Sequence, residues 1–369
     1  MIQALAVTDP GVRGVPMSIE RQLAFWLATF VVVVLLLWLL SEILLPFIAG
    51  MAIAYLLDPL TNRLERIGVN RRLAALLIIG VVVLTFIVAA LLIVPVLANQ
   101  LYALIANIPA YVTRLQALLL ETDLPWLRGL LGSGDSSKTI SDLVSQGTVW
   151  LAAFLRSLWS GGRALISIFS LVVVTPVVAY YLICDWPRIV TTVEQWIPRA
   201  HREQVKALFS EIDAAIAGFV RGQTGVCLIL GSFYAVALSV VGLNFGLLIG
   251  LISGLITFIP YVGSMTGLVL AVGVAIAQFW PEWSLIVVVL VIFLVGQFVE
   301  GYILAPKLVG ENVGLHPVWL MFAMFAFGYL FGFVGLLVAV PISAAIGVLL
   351  RFALRQYRAS PLYTGEPSS

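Results

Sequence analysis

Residues Phe245–Gln278 read FGLLIGLISGLITFIPYVGSMTGLVLAVGVAIAQ, a long apolar stretch broken in its middle at Phe258-Ile-Pro-Tyr-Val-Gly263. Proline removes a backbone donor and crowds the preceding turn, so a helix kinks or stops there. A second apolar stretch, Val318–Leu350, is interrupted at Gly328, Gly332, Gly335 and Pro341. In a bilayer, backbone groups freed by such breaks must be paired inside protein or line a wet cavity. Two broken segments in one half of a chain therefore point to a transport site at membrane depth. Between them the apolar segment Ser284–Leu304 carries two polar residues that matter, Gln297 and Glu300.

Composition sets the class. The chain has 369 residues, 62% hydrophobic and 10% charged, against about 45–50% and about 25% for a soluble domain. That excess cannot be hidden in one soluble core, so the expected fold is all-α and polytopic in a membrane. A net charge of +2, without a basic patch interleaved with aromatics, argues against a nucleic-acid partner. Cys184 and Cys227 suggest no disulfide framework. His201 and His316 lack metal-ligand spacing, and no cofactor or metal is expected. No phosphate-binding loop, zinc-protease or nucleophile-elbow motif occurs, so the chain reads as a non-enzyme.

A span needs roughly 20 apolar residues. Positions 1–20 read as a loose tail. Leu23–Leu40, Ser41–Leu57 and Leu73–Ala98 follow as spans, the third bent or ended near Pro95, with Asp58–Arg72 a polar loop. The region 99–150 is an extramembrane insert, amphipathic over Asn99–Leu120 and loop-like over Glu121–Ser145. In 151–217, a long helix over Trp150–Ile183 is kinked near Pro176. Asp185-Trp-Pro187 then reads as a stop and restart with Asp185 as N-cap, and His201–Ala217 as an amphipathic helix. The region 218–350 forms the core: a span over Phe219–Val241 entered through Arg221-Gly-Gln223, then the two broken segments around Ser284–Leu304. The basic tail 351–369 closes the chain.

Sidedness follows from Lys and Arg. If Leu23–Leu57 crosses twice, one side collects 15 of the 20 basic residues, which places both termini in the cytoplasm. Each broken segment is either two crossings or one re-entrant hairpin, and both choices return the chain to the same side.

Among single residues, Glu300 stands first, because a charge inside a span costs at least ~2.5 kcal/mol and tends to be functional or paired. Gln297, three positions earlier, is expected on the same face. The bland alternative puts Glu300 near the cytoplasmic end, hydrated or paired with Lys307. Pro260, Gly263 and Pro341 read as unwound backbone lining a cavity, or else as packing kinks. Gly246, Gly250 and Gly254, spaced by four, favour close helix contact. Glu42 reads as a water-facing turn residue. His316 precedes a helix start at the mouth of the second broken segment.

With those residues in view, the sequence resembles the autoinducer-2 exporter family of bacterial membrane proteins, also called PerM-type permeases. The resemblance rests on Phe258-Ile-Pro-Tyr-Val-Gly263, Gln297-Phe-Val-Glu300-Gly, Pro306, Gly310, Leu315-His-Pro317, Gly332-x-x-Gly335 and Ala339-Val-Pro341, with Arg221-Gly-Gln223 beside them. It implies about eight transmembrane helices, re-entrant hairpins in the C-terminal half and a homo-oligomer, a pentamer. It also implies an elevator-like movement in the bacterial cytoplasmic membrane. The site residues carried forward are Gln223, Pro260, Gly263, Gln297, Glu300, His316 and Pro341, facing a small polar solute, a cation or a proton.

Three functions compete at this stage. The first is export of a small polar solute, with autoinducer-2 the named candidate. The second is sodium/proton antiport, for which Glu300 and Glu42 are a thin supply of intramembrane acids. The third is a non-transporting oligomeric scaffold that binds partners through the insert or His201–Ala217.

Overall fold

A helix satisfies every backbone group within itself, so an apolar chain in lipid becomes helices. The computed structural model describes residues 19–121, 162–199, 202–260, 262–309, 316–360 and 363, and among these there is no strand. The elements are α1 (Ile19–Leu39), α2 (Ser41–Arg66), α3 (Arg71–Glu121), α4 (Gly162–Trp196) and α5 (Arg202–Val240). After them come α6 (Gly246–Ile256), α7 (Val262–Phe279), α8 (Trp283–Val299), a π-helix π1 (Glu300–Val309) and α9 (Pro317–Arg358). Seven described helical stretches are long and apolar enough to cross a membrane, and Leu27–Leu39 and Gly246–Ile256 are shorter apolar helices. This is the all-α polytopic architecture that composition demanded. Leu76, Val81, Leu84, Phe86 and Leu91 on α3 remain 59–71% exposed, a surface suited to lipid rather than water.

The two largest apolar cores organise most of the helices. One joins α2, α3 and α4 through Leu57, Ala75, Ile79, Ala179 and Ile183. The larger joins α5–α8 and π1 through Leu230, Tyr234, Ile249, Ala275, Phe293 and Leu304. Helix α3 serves both: Leu104 packs on the larger core, and Gln100 Oε1 accepts from the Leu248 amide at 3.0 Å.

The glycine ladder of α6 does what its spacing predicted. Gly250 lies against the Ala235 backbone and Gly254 against the Gly231 backbone, so α5 and α6 run antiparallel with no room for a Cβ between them. Leu238 contacts Gly246 at the other end, where an added Cβ would sit 2.9 Å from a main-chain atom.

Several expected boundaries move. Asp58–Arg72 is not a loop: α2 continues to Arg66 and α3 begins at Arg71. Its polar residues serve a network instead. The Arg71 guanidinium donates to Asp58 (3.1 Å), Asn62 (2.9 Å), Glu65 (3.0 Å) and the Ile183 carbonyl (2.8 Å), while Asn62 donates to Asp58 at 2.8 Å. Helix α3 passes Pro95 unbroken, and α4 passes both Pro176 and Pro187, which makes Asp185 a mid-helix residue rather than an N-cap. One lost hydrogen bond does not end a helix whose flanking turns are held by neighbours; beside Pro176, Thr175 donates to the Pro46 carbonyl of α2 at 3.3 Å. The amphipathic helix and the span after it are one helix, α5. Glu42 falls in the first turn of α2. Positions 122–161, which include the Glu121–Ser145 loop beyond its first residue, lie outside the described residues, as do His201, positions 1–18 and, in the C-terminal tail, 361–362 and 364–369.

The two broken segments break differently. In the first, α6 ends at Ile256 and α7 starts at Val262. In the second, Pro341 stays inside the helix and the chain breaks at Gly332, where φ is 60° and ψ −139°. An L-residue with a side chain strongly resists that region. Around it the chain doubles back: Gly335 lies against the Phe327 carbonyl and Gly328 against Leu336, pairs that a straight helix holds about 12 Å apart. Gly332→Ala is expected to lower stability by ~1–3 kcal/mol. Since nothing lies within 4 Å of the added Cβ, the loss would report backbone conformation alone. An unchanged unfolding temperature in detergent would show that the break is not held by this residue.

Candidate functional site

Short arms make both breaks functional candidates. Helix α6 has 11 residues, about 16 Å of rise, and arm 317–331 of α9 rises about 22 Å. Neither reaches across a hydrocarbon core of about 30 Å. Both segments are helical hairpins whose turns lie within the bundle.

The first turn is fastened from α5. Gln223, 5% exposed, donates through Nε2 to the Thr257 carbonyl at 2.6 Å, taking up a group freed where α6 stops. Thr257 Oγ1 donates back to Ser253 at 2.7 Å. Gly263 opens α7 against the Thr257 backbone, so the chain reverses over Phe258-Ile-Pro260. Gln223→Leu leaves that carbonyl unpaired away from water, at an expected ~1–3 kcal/mol. Thermal unfolding in detergent checks it, and a wild-type melting point would remove Gln223 as the fastening.

The hairpins meet. Ile259, beside Pro260, packs with Met324 from one arm of α9 and Ala339 from the other. Phe258 joins Phe219, Val220 and Val340 and meets the Phe219 ring edge-on at 5.9 Å. Pro341 follows Val340 directly, half-buried. Gln223, Pro260, Gly263 and Pro341, far apart in sequence, thus gather around one junction.

Glu300 occupies a separate part of the same bundle. It stands where α8 gives way to π1 and is the charged neighbour of Cys227 and Tyr234 on α5. Its Oε2 is buried without a hydrogen-bond partner, and so is the Tyr234 hydroxyl. Tyr234 is fully buried, stacks on Phe293 at 4.5 Å and rests over Gly296, one turn before Glu300. Buried polar atoms without partners are rare and costly. A carboxylate oxygen and a phenol hydroxyl left so in one interface form a place where a proton, a cation or a solute hydroxyl can be held.

The structure separates the other two candidates from this pair. Gln297 is exposed on α8, whereas Glu300, three residues on, buries its Oε2. His316 is an exposed N-cap whose Nδ1 accepts from the Val318 amide at 3.3 Å. Tyr234 escaped the sequence reading, because a tyrosine in an apolar helix looks like core; only its orphaned hydroxyl marks it out.

A family model described as AI-2E family transporter matches residues 27–355. The chain belongs to the AI-2E transporter family. Within it, the chain is 33% identical over 353 residues to a putative transport protein, YrrI, of Bacillus subtilis, covering 90% of this chain and 97% of that one. It is 28% identical to the putative permease PerM of Escherichia coli K12, over 84% and 87% of the two chains. It is 26% identical to the AI-2 transport protein TqsA of the same strain, over 86% of each. AI-2E relatives are thus named as transporters or permeases, which points away from an enzyme. The match takes in both hairpins, Gln223 and Glu300.

Proposed function

We propose that this chain is a secondary transporter that exports a small polar solute across the bacterial cytoplasmic membrane, with autoinducer-2 the first solute to test. The observation that carries the reading is the meeting of two helical hairpins, each with an arm too short to span, in the same bundle as a buried carboxylate oxygen without a partner. Hairpin turns at membrane depth hold irregular backbone where a solute can be bound and released.

The two cores suggest how such a site moves. Helices α5–α9 form the transport unit and α2–α4 the scaffold, one sliding on the other in an elevator-like cycle. In this reading both hairpins are re-entrant from the cytoplasmic side, both termini are cytoplasmic, and the chain works as a homo-oligomer, a pentamer. The exposed apolar face of α3 is available for lipid or for neighbouring copies.

The unpartnered Glu300 oxygen also favours a second reading, sodium/proton antiport. Everted vesicles separate the two. Accumulation of autoinducer-2 driven by an imposed proton gradient supports export. Proton release on adding sodium, with no solute accumulation, supports antiport. Neither activity from a correctly inserted protein would leave the scaffold reading.

A further inference from the structure

We propose that a cavity between α2, α4 and α5 binds a small zwitterion that presents an ammonium and a carboxylate group. The cavity measures about 70 Å³ and is lined by Tyr55, Asp58, Trp186, Asp213 and Arg221, among others. None of these residues takes part in the hairpin junction or the Glu300 pair as polar groups, and the proposal stands whether or not that region carries flux.

The Tyr55 hydroxyl donates to Asp213 Oδ1 at 2.9 Å. Arg221 Nε donates to the Tyr55 carbonyl at 2.8 Å. Those bonds orient Asp213 and Arg221 but consume only one oxygen of the first and one nitrogen of the second. Asp213 and Arg221 form no ion pair with each other or with another described side chain. Asp58 differs: Arg71 and Asn62 occupy both of its oxygens. One cationic and one anionic group therefore line the same small space with bonding capacity left, held apart by more than ion-pair distance.

Charge decides the class of ligand. A lone cation satisfies Asp213 but faces the Arg221 guanidinium. A lone anion satisfies Arg221 but faces Asp213 and Asp58. A neutral polyol offers no charge to either the exposed Arg221 or the half-buried Asp213. A zwitterion answers both at once, its carboxylate on the guanidinium fork and its ammonium on Asp213. Size permits it: about 70 Å³, against roughly 10–15 Å³ of the same kind of space for one water molecule, leaves room for glycine or alanine. The Tyr55 and Trp186 rings, edge to face at 6.5 Å, supply aromatic surface for the short apolar part and for the ammonium.

Saturation-transfer NMR on the purified full chain in detergent, with glycine and L-alanine as probes and xylitol as the neutral comparison, tests this. Both amino acids are expected to show transfer and xylitol none. Asp213→Asn keeps the shape and the acceptor for Tyr55, and is expected to weaken alanine binding about tenfold or more without changing the melting temperature. Arg221→Gln should do the same. Glu211→Gln, on α5 but paired outward to Arg351 and Arg355, should leave binding unchanged. Equal affinity in Asp213→Asn, transfer to xylitol as strong as to alanine, displacement of alanine by sodium alone, or no transfer at all would each overturn the proposal. Alanine binding in a chain that moves no solute would sink the transport reading and leave this one standing; flux without alanine binding would do the reverse.

Discussion

Gly250→Val is expected to be the most damaging single change in this chain. The Gly250 Cα faces the backbone of Ala235 and Tyr234 on α5, closer than any side chain allows. A valine there must push α6 away from α5. Overpacking against a side chain usually costs ~1–3 kcal/mol, but here the obstacle is main chain that cannot rotate aside, so ~3 kcal/mol or more is expected. The consequence is larger than the local clash, because α6 carries the Thr257 carbonyl that Gln223 holds and the turn that meets α9. Gly250→Val should therefore give little folded protein on gel filtration. Gly273→Val, where an added Cβ meets nothing within 4 Å, should behave like the parent. Equal yields of the two variants would mean that α6 does not pack as described.

Glu300→Gln is expected to reduce solute flux in proteoliposomes to the level of empty liposomes while leaving assembly intact. Glutamine keeps the volume of the side chain but cannot take up and release a proton or offer a charge to a cation. Loss of flux with a parental melting temperature would assign Glu300 to transport; parental flux would remove it. Tyr234→Phe sharpens the result. Removing an unpaired buried hydroxyl is neutral or stabilising for a purely structural tyrosine, so a folded Tyr234→Phe protein with reduced flux would place the hydroxyl beside the carboxylate in the transport step. Gln297→Leu, at an exposed position on α8, should have a much smaller effect than Glu300→Gln.

Much of the architecture could be read without coordinates, because membrane helices are written locally. Apolar length reveals a span whatever its neighbours do. The four-residue glycine spacing of α6 announced close contact, and the doubled breaks announced interrupted helices while leaving open whether each is a hairpin or two crossings. The errors share a cause. Pro187 and Pro341 stay inside helices, because a proline's missing hydrogen bond matters only when flanking turns cannot carry it, and those turns are stabilised by packing from elsewhere. Asp58, Asn62 and Glu65 looked like loop polarity but face Arg71 across a short turn.

By itself the sequence determined that this chain lives in lipid, that its C-terminal half contains two interrupted helices, and that Glu300 is an acid in an apolar segment. Those are properties of composition and spacing, which do not change with folding. Tertiary structure alone decided that the second break falls at Gly332, that Gln223 completes the first turn, and that Tyr234 and Glu300 are neighbours with unpartnered oxygens while Gln297 is exposed. It also decided that Tyr55, Asp213 and Arg221, more than 150 residues apart at their extremes, enclose one cavity. The physical reason is the same throughout: a break, a burial or a pairing is settled by what lies opposite, and a neighbour across two helices leaves no periodic trace along the chain.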